Sequence, residues 1–234
     1  MTGTLHGVGL GPGDPELMTL RAHRLISAAQ VIAYPAPDSG ESFARSIAAA
    51  VIPTDAEEIP IVIPMRIERF PAQDVYDAAA KTLAARLSAG VDVVVLCEGD
   101  PFFYGSFMYL FERLARDFPV EVTPGVTSLT ACAAAIQRPL CARNEPLSIL
   151  PGPLPDAELR ARLSGGAAAA IMKVGRHLPR LRTLIEDLGL TNRASYVSHA
   201  TLPNQAAIPL AQAPEAAPYF SMILIAGSDP YANG

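Results

Sequence analysis

The chain is poor in cysteine, in charge and in long apolar runs, and each shortage removes a class of protein. Three cysteines cannot close a complete disulfide framework. Cys97, Cys132 and Cys141 also lack C-x-x-C spacing, which argues against a zinc ribbon and a thioredoxin-type dithiol. A reduced, cytoplasmic protein is expected. Only 18% of the 234 residues are charged, and 18 Lys+Arg stand against 23 Asp+Glu, a net charge of −5 with no basic block. No nucleic-acid face is expected, and an anionic ligand would have to be met by locally placed arginines. Mean hydropathy is +0.25, yet no apolar run reaches the ~18 residues of a membrane span. Residues 1–6 carry neither a basic nor an apolar leader region, so no ordinary signal peptide and no membrane partner are expected.

Several catalytic signatures are missing too. There is no G-x-x-x-x-G-K-[ST], no H-E-x-x-H and no G-x-S-x-G, and His6, His23, His177 and His199 are too scattered to suggest a metal site. The stretch Gly7-Val8-Gly9-Leu10-Gly11-Pro12 falls short of a dinucleotide fingerprint. It lacks the third glycine at the required spacing, and Pro12 removes an amide that would cradle pyrophosphate. The next strand ends in Tyr34-Pro35 rather than an acidic residue for a ribose.

What is present is a repeated grammar of β-branched run, Gly/Pro turn and amphipathic segment. Leu5 to Val8 leads into Gly11-Pro12-Gly13-Asp14-Pro15, with Asp14 suited to cap a helix carrying Leu17, Leu20, Arg21, Leu25 and Ala28 at three- and four-residue steps. Val31 to Tyr34 reads as a strand, and Glu41 or Ser42 as the cap of a helix running on to Val51. Val91 to Cys97 is almost wholly apolar, as a strand buried on both faces of a parallel sheet should be. A helix follows from Gly105 to Phe118, then a short strand at Val120 to Val122 and an alanine-rich helix from Thr127 to Ile136. Further strands are expected at Ser148 to Leu150, Ala169 to Val174, Ala194 to Ser198 and Phe220 to Ala226, with a helix at His177 to Leu188 closed by Gly189. The fold class is α/β, in two domains of residues 1–121 and 122–234. Mostly parallel sheets are expected, with the short final strands able to pair antiparallel.

In an open parallel sheet, ligands bind outside the carboxyl ends of the strands. Three loops share that place and the same residue types: Gly11-Pro12-Gly13-Asp14-Pro15, Gly99-Asp100-Pro101 and Thr123-Pro124-Gly125-Val126-Thr127. Glycine lets a ligand approach the backbone, and proline fixes the turn without offering a donor. One such loop is most often only a turn; three in one chain point to a shared site.

These loops carry a family resemblance. Val8 to Ala22, Gly99-Asp100-Pro101, Thr123 to Ser128 and the closing Ile225-Ala226-Gly227-Ser228 resemble, in order, the motifs of the tetrapyrrole methylases of sirohaem and cobalamin synthesis. Cys97 to Leu110, Met172 to Leu178, Ala33-Tyr34-Pro35 and Gly40-Glu41-Ser42 look most like the branch that methylates precorrin-2 at C20. The resemblance implies two α/β domains with the active-site cleft between them, the first on the macrocycle side and the second on the cofactor side. It implies S-adenosylmethionine as methyl donor, no required metal, an anionic tetrapyrrole substrate and a homodimer. Carried over by position, donor contacts fall on Pro12, Glu98, Gly99, Asp100, Phe103, Thr127, Ser128, Met172 and Gly227. Glu98 and Lys173 stand where the sirohaem-forming relatives usually carry glycine.

Methyl transfer from a sulfonium needs alignment and exclusion of water more than acid–base chemistry, so the missing triad is expected. A group must still take a proton from the methylated carbon, and the sequence does not name it. Arg143, Lys173, Arg176 and His177 lie near expected strand ends and suit the substrate's carboxylates, although solvated surface charge is the plainer role for Arg143. Tyr104 is expected to face the site, with Phe107 and Phe111 at helical spacing and assigned to the core. Asp100 is poised equally between a ligand contact and a helix cap.

Overall fold

A computed structural model describes residues 1–64 and 71–227. Two compact units divide it, residues 1–127 and 128–234, each with its own five-stranded sheet.

In the first unit the strands are β1 (Leu5–Gly9), β2 (Val31–Pro37), β3 (Glu57–Ile63), β4 (Val93–Cys97) and β5 (Val120–Thr123), all parallel, in the order β3-β2-β4-β1-β5. The alternation of side chains along β4 shows how the layers form. Val93, Val95 and Cys97 face a core shared with α3 (Pro71–Ser88) and α4 (Phe107–Leu114); Val94 and Leu96 face one shared with α1 (Leu20–Ser27) and α2 (Phe43–Ala48). Both faces of the sheet are therefore covered, as an apolar parallel strand requires. The chain leaves β1 toward β2 on one side and leaves β4 toward β5 on the other. These neighbouring strands thus form the switch point at which such sheets open a crevice beyond their carboxyl ends.

The second unit contains α5 (Ser128–Ala135), β6 (Leu147–Pro151), α6 (Asp156–Leu163), β7 (Ala168–Met172), α7 (Leu178–Asp187), β8 (Ala194–Ser198), β9 (Ala206–Pro209) and β10 (Ser221–Ile225). Its order is β6-β7-β10-β8-β9, with only β6 and β7 parallel. Leu159, Leu163, Leu181, Leu184 and Ile185 from the helices pack against Ile171, Tyr196, Ile223 and Ile225 from the sheet.

Three expectations change in detail. The division between the units falls after Thr127 rather than at 121/122, because β5 completes the first sheet by pairing with β1, Val8 opposite Thr123. Asp14 caps only a single 3-10 turn at Pro15–Leu17, its carboxylate accepting the Glu16 amide. Thr19 caps α1 instead, accepting from the Ala22 amide at 3.1 Å. Accordingly α1 buries Ala22 and Ile26 while Leu20 lies 90% exposed.

Candidate active site

Parallel pairing brings the carboxyl ends of β4, β1 and β5 to one edge, where the three glycine-proline bends meet. Gly9 lies opposite Cys97, and the Leu10 amide donates to the Cys97 carbonyl at 2.9 Å. One step on, the first two bends join directly. The Gly99 amide donates to the Gly11 carbonyl at 2.8 Å and the Gly11 amide to the Gly99 carbonyl at 3.3 Å. The third bend is tied in by Asp100, whose Oδ2 accepts the Gly125 amide at 3.0 Å while Oδ1 accepts the Phe102 amide at 2.9 Å. Asp100 therefore caps no helix; it clamps two bends.

The closeness of this packing explains the glycines. A Cβ on Gly9 would lie 2.6 Å from the Gly125 nitrogen and 2.7 Å from the Gly99 carbonyl oxygen, and one on Gly125 would lie 2.0 Å from that same oxygen. Backbone can approach backbone this closely only without side chains. Gly99 differs. It adopts a left-handed φ of +64°, yet a Cβ there would meet nothing nearer than the Val126 carbonyl oxygen at 3.9 Å. Its bare Cα faces open space at the centre of the convergence.

Glu98, at the end of β4, is open to solvent on one side and crowded by protein on the other. Burial pushes its carboxyl above the ordinary glutamate range, against two backbone amides that favour the ionised form, its own and that of Ala44 in α2. Behind it, Tyr76 of α3 and Cys97 are buried, and burial pushes both the phenol and the thiol up, so both stay protonated at neutral pH.

In the second unit the bend after β6 meets the end of β7. The Gly152 amide donates to the Met172 carbonyl at 2.6 Å, and Arg180 fastens the bend through the Gly152 and Leu154 carbonyls and the Asp156 carboxylate. Lys173, Arg176 and His177 follow, the first two exposed. Burial, then the charges of Arg180 and Arg176, hold the His177 imidazole below its usual value, so it is neutral at neutral pH.

The family model for Tetrapyrrole (Corrin/Porphyrin) Methylases matches residues 4–214. The chain belongs to the tetrapyrrole methylases. It is 42% identical over 234 residues to a precorrin-2 C(20)-methyltransferase from a Sinorhizobium species, covering 96% of each chain. It is 30% identical over 237 residues to a cobalt-precorrin-2 C(20)-methyltransferase from Salmonella typhimurium, covering all of both. Among solved structures, a uroporphyrin-III C-methyl transferase from Thermus thermophilus complexed with S-adenyl homocysteine superposes with a TM-score of 0.67. That pair is 26% identical and covers 95% of this chain and 97% of that one.

In this methylase the first unit brings Pro12, Glu98, Gly99, Asp100, Phe103 and Thr127 to the bends or the residues adjoining them. Phe103 packs edge-on against the exposed Tyr104 at 5.2 Å, while Phe107 is buried at the core and Phe111 packs against it, as their spacing predicts. Met172, Lys173, Arg176 and His177 form one stretch of the second unit, whereas Arg143 lies in the segment before β6 and Gly227 just after β10. Ser228, which closes the last motif, lies outside the described residues. Among the described residues, no three His, Cys, Asp or Glu side chains group as a metal site would need, and no helix is long and apolar enough to cross a membrane.

Backbone strain marks part of this set. Tyr104, Arg143 and Lys173 hold φ of +56°, +49° and +55°, a region that side-chain-bearing residues seldom adopt and that costs about 1–3 kcal/mol each. The same signal at His199 (+49°) and Thr201 (+72°), just beyond β8, draws attention to a turn that sequence reasoning passes over. No residue type announces it. Glu145 is a second omission. Its carboxylate lies so close over the bare Cα of Gly227 that a Cβ there would overlap it, and its buried Oε1 has no hydrogen-bond partner among the described residues. Only a fold that pairs the 141–146 segment with the end of β10 reveals that contact.

Proposed function

We propose that this chain transfers a methyl group from S-adenosylmethionine to C20 of precorrin-2, a step of cobalamin synthesis. The likeness to a precorrin-2 C(20)-methyltransferase across 96% of both chains supports the substrate and position. The single structural observation that carries the reading is the meeting of three glycine-proline bends around the open Cα of Gly99.

The edge fits the donor. A bare left-handed glycine, flanked by carbonyls and by the Asp100 clamp, offers a shallow backbone cradle that any side chain on Gly99 would fill. Pro12, Glu98 to Asp100, Phe103 and Thr127 would hold the donor in the first unit, and Ser128, Met172 and Gly227 are the contacts assigned to the second. When bound, the donor supplies a methyl on a sulfonium that departs as a neutral thioether. The chain's own task is alignment: reacting atoms held at about 3–3.5 Å gain several kcal/mol over a chance encounter. Asp100 serves this by fixing two bends at once, and the buried β1 and β4 beneath them hold the platform rigid.

The substrate's carboxylates need cations. Arg143 and Arg176 are exposed and make no ion pair among the described residues, whereas neighbouring Arg180 is committed to Asp156 and two carbonyls. We assign Arg143, Lys173 and Arg176 to the macrocycle's acidic side chains, with neutral His177 as a hydrogen-bond donor beside them and Tyr104 against the ring face. A homodimer is part of the same reading.

Incubating purified protein with methyl-labelled S-adenosylmethionine and precorrin-2 tests the proposal. Label at C20 supports it; label at another carbon, or none, overturns it. A parallel arm with cobalt-loaded substrate separates the metal-free substrate from its cobalt analogue by rate.

A further inference from the structure

Methylating a ring carbon that bears hydrogen leaves a proton to be removed, and neither the bends nor the cationic residues perform that task. We propose that the Glu98 carboxylate is the catalytic base that takes the proton from C20, an inference that rests on the function proposed above.

Position is the first argument. β4 is the middle strand of its sheet, and Glu98 is the first residue beyond its carboxyl end, directly before Gly99 at the centre of the three bends. The carboxylate lies near two backbone amides, its own and that of Ala44, and the residue is exposed to solvent. A base needs both: a held oxygen with a free lone pair, and a route by which its proton is later lost to water.

The second argument is the state of its neighbours. Asp100 has one oxygen committed to the Phe102 amide and the other to the Gly125 amide, which suits a clamp. Tyr76, packed from α3, and Cys97, at the end of β4, are kept protonated by burial and cannot accept a proton at neutral pH. On the α2 side, the Arg45 guanidinium is spent on Glu58, at 2.6 Å and 2.8 Å, and does not neutralise Glu98. Asp100 thus ties two bends together through both oxygens, whereas Glu98 bridges no two bends and is exposed to solvent. Crowding raises its proton affinity, which brings it closer to that of an effective base at neutral pH.

The step balances without further reagents. A ring electron pair forms the bond from C20 to the methyl carbon as the carbon–sulfur bond breaks, and the sulfur keeps that bond's electrons. The C20–H pair then returns to the macrocycle, and the proton passes to a Glu98 oxygen, giving the neutral acid. Solvent recharges the carboxylate through the open side.

Glu98→Gln tests this in the full-length protein, because an amide oxygen can still accept the Ala44 amide. With saturating S-adenosylmethionine and precorrin-2, kcat is expected to fall about 100-fold or more. The wild-type kcat should show an acid limb above the ordinary carboxylate range, where Glu98 becomes protonated as pH falls, and that limb should vanish in E98Q. A kcat within about threefold of wild type, or an acid limb that persists in E98Q, would overturn the assignment. Should E98Q fold poorly, E98D carries the test. Reduced kcat with a displaced acid limb supports the base, and an unchanged limb and kcat contradict it. Failure of the underlying function shows separately, as wild-type protein that places no methyl on C20.

Discussion

At the scale of single residues, the site is made by what its glycines omit, and two of them should respond unequally to the same change. Gly99 has the room for a methyl group but holds a left-handed backbone, so Gly99→Ala should cost about 1–2 kcal/mol. Gly125→Ala puts its new Cβ 2.0 Å from the Gly99 carbonyl oxygen, backbone that cannot swing aside, and should cost about 3 kcal/mol or more. Urea denaturation of the two variants checks the order. The three bends were legible because glycine and proline after an apolar run leave few alternatives to a turn at a strand end. The left-handed Tyr104, Arg143 and Lys173 were legible only as chemistry, since no pattern in their neighbours foretells positive φ. Glu145 was illegible altogether: its contact with Gly227 joins positions 82 residues apart.

At the scale of elements, α2 sets the ground on which Glu98 stands. Ser42 caps it twice over, accepting from the Arg45 amide at 3.2 Å and donating to the Pro35 carbonyl at 2.5 Å. Ser42→Ala should therefore destabilise the protein by about 1–2 kcal/mol. Arg45 then binds Glu58 through both nitrogens, and Glu58 meets the Tyr34 phenol, which burial and that carboxylate push up. The Arg45 hydrogen bonds hold the Glu58 carboxyl below its usual range. A carboxylate lowered in the folded state adds stability above its unfolded pKa of about 4.3, and that share disappears as pH falls through the folded value. Because the pair is partly exposed, Glu58→Gln should cost no more than about 1 kcal/mol at pH 7, and the gap to wild type should close below about pH 4 in chemical denaturation. Most elements follow the expected order, with ends displaced by a few residues. β3 is obscured by Pro60, which a sheet tolerates because β3 is an edge strand and a missing amide there breaks no ladder on its free side. Sequence reading also passes over α3, although Tyr76, Ala80, Leu83 and Leu87 step by threes and fours onto the core. The antiparallel half of the second sheet was open in the sequence, since strands of only four or five residues suit either direction.

For the whole molecule, the net charge of −5 makes an anionic substrate a problem of local cations rather than of a general field. Arg176→Ala should weaken precorrin-2 binding about tenfold, the loss of a charge-assisted contact, and leave S-adenosylhomocysteine binding nearly unchanged. Fluorescence or equilibrium dialysis with each ligand separates the two, and equal weakening of both would move Arg176 from the substrate to the donor. The two sheets divide the chemistry unevenly. The first is wholly parallel and supplies the bends, the clamp and the base; the second carries the cationic stretch after β7. Composition gives the acidic balance of the chain, whereas the tetrapyrrole itself was readable only from the family motifs.

The account stands or falls on Gly99 as the floor of the donor site. Calorimetric titration of S-adenosylhomocysteine into wild-type protein and into Gly99→Leu, with circular dichroism to confirm that both are folded, tests it most directly. Saturable binding by the wild type and none by the folded variant is the predicted result. Equal affinity in the two would contradict it.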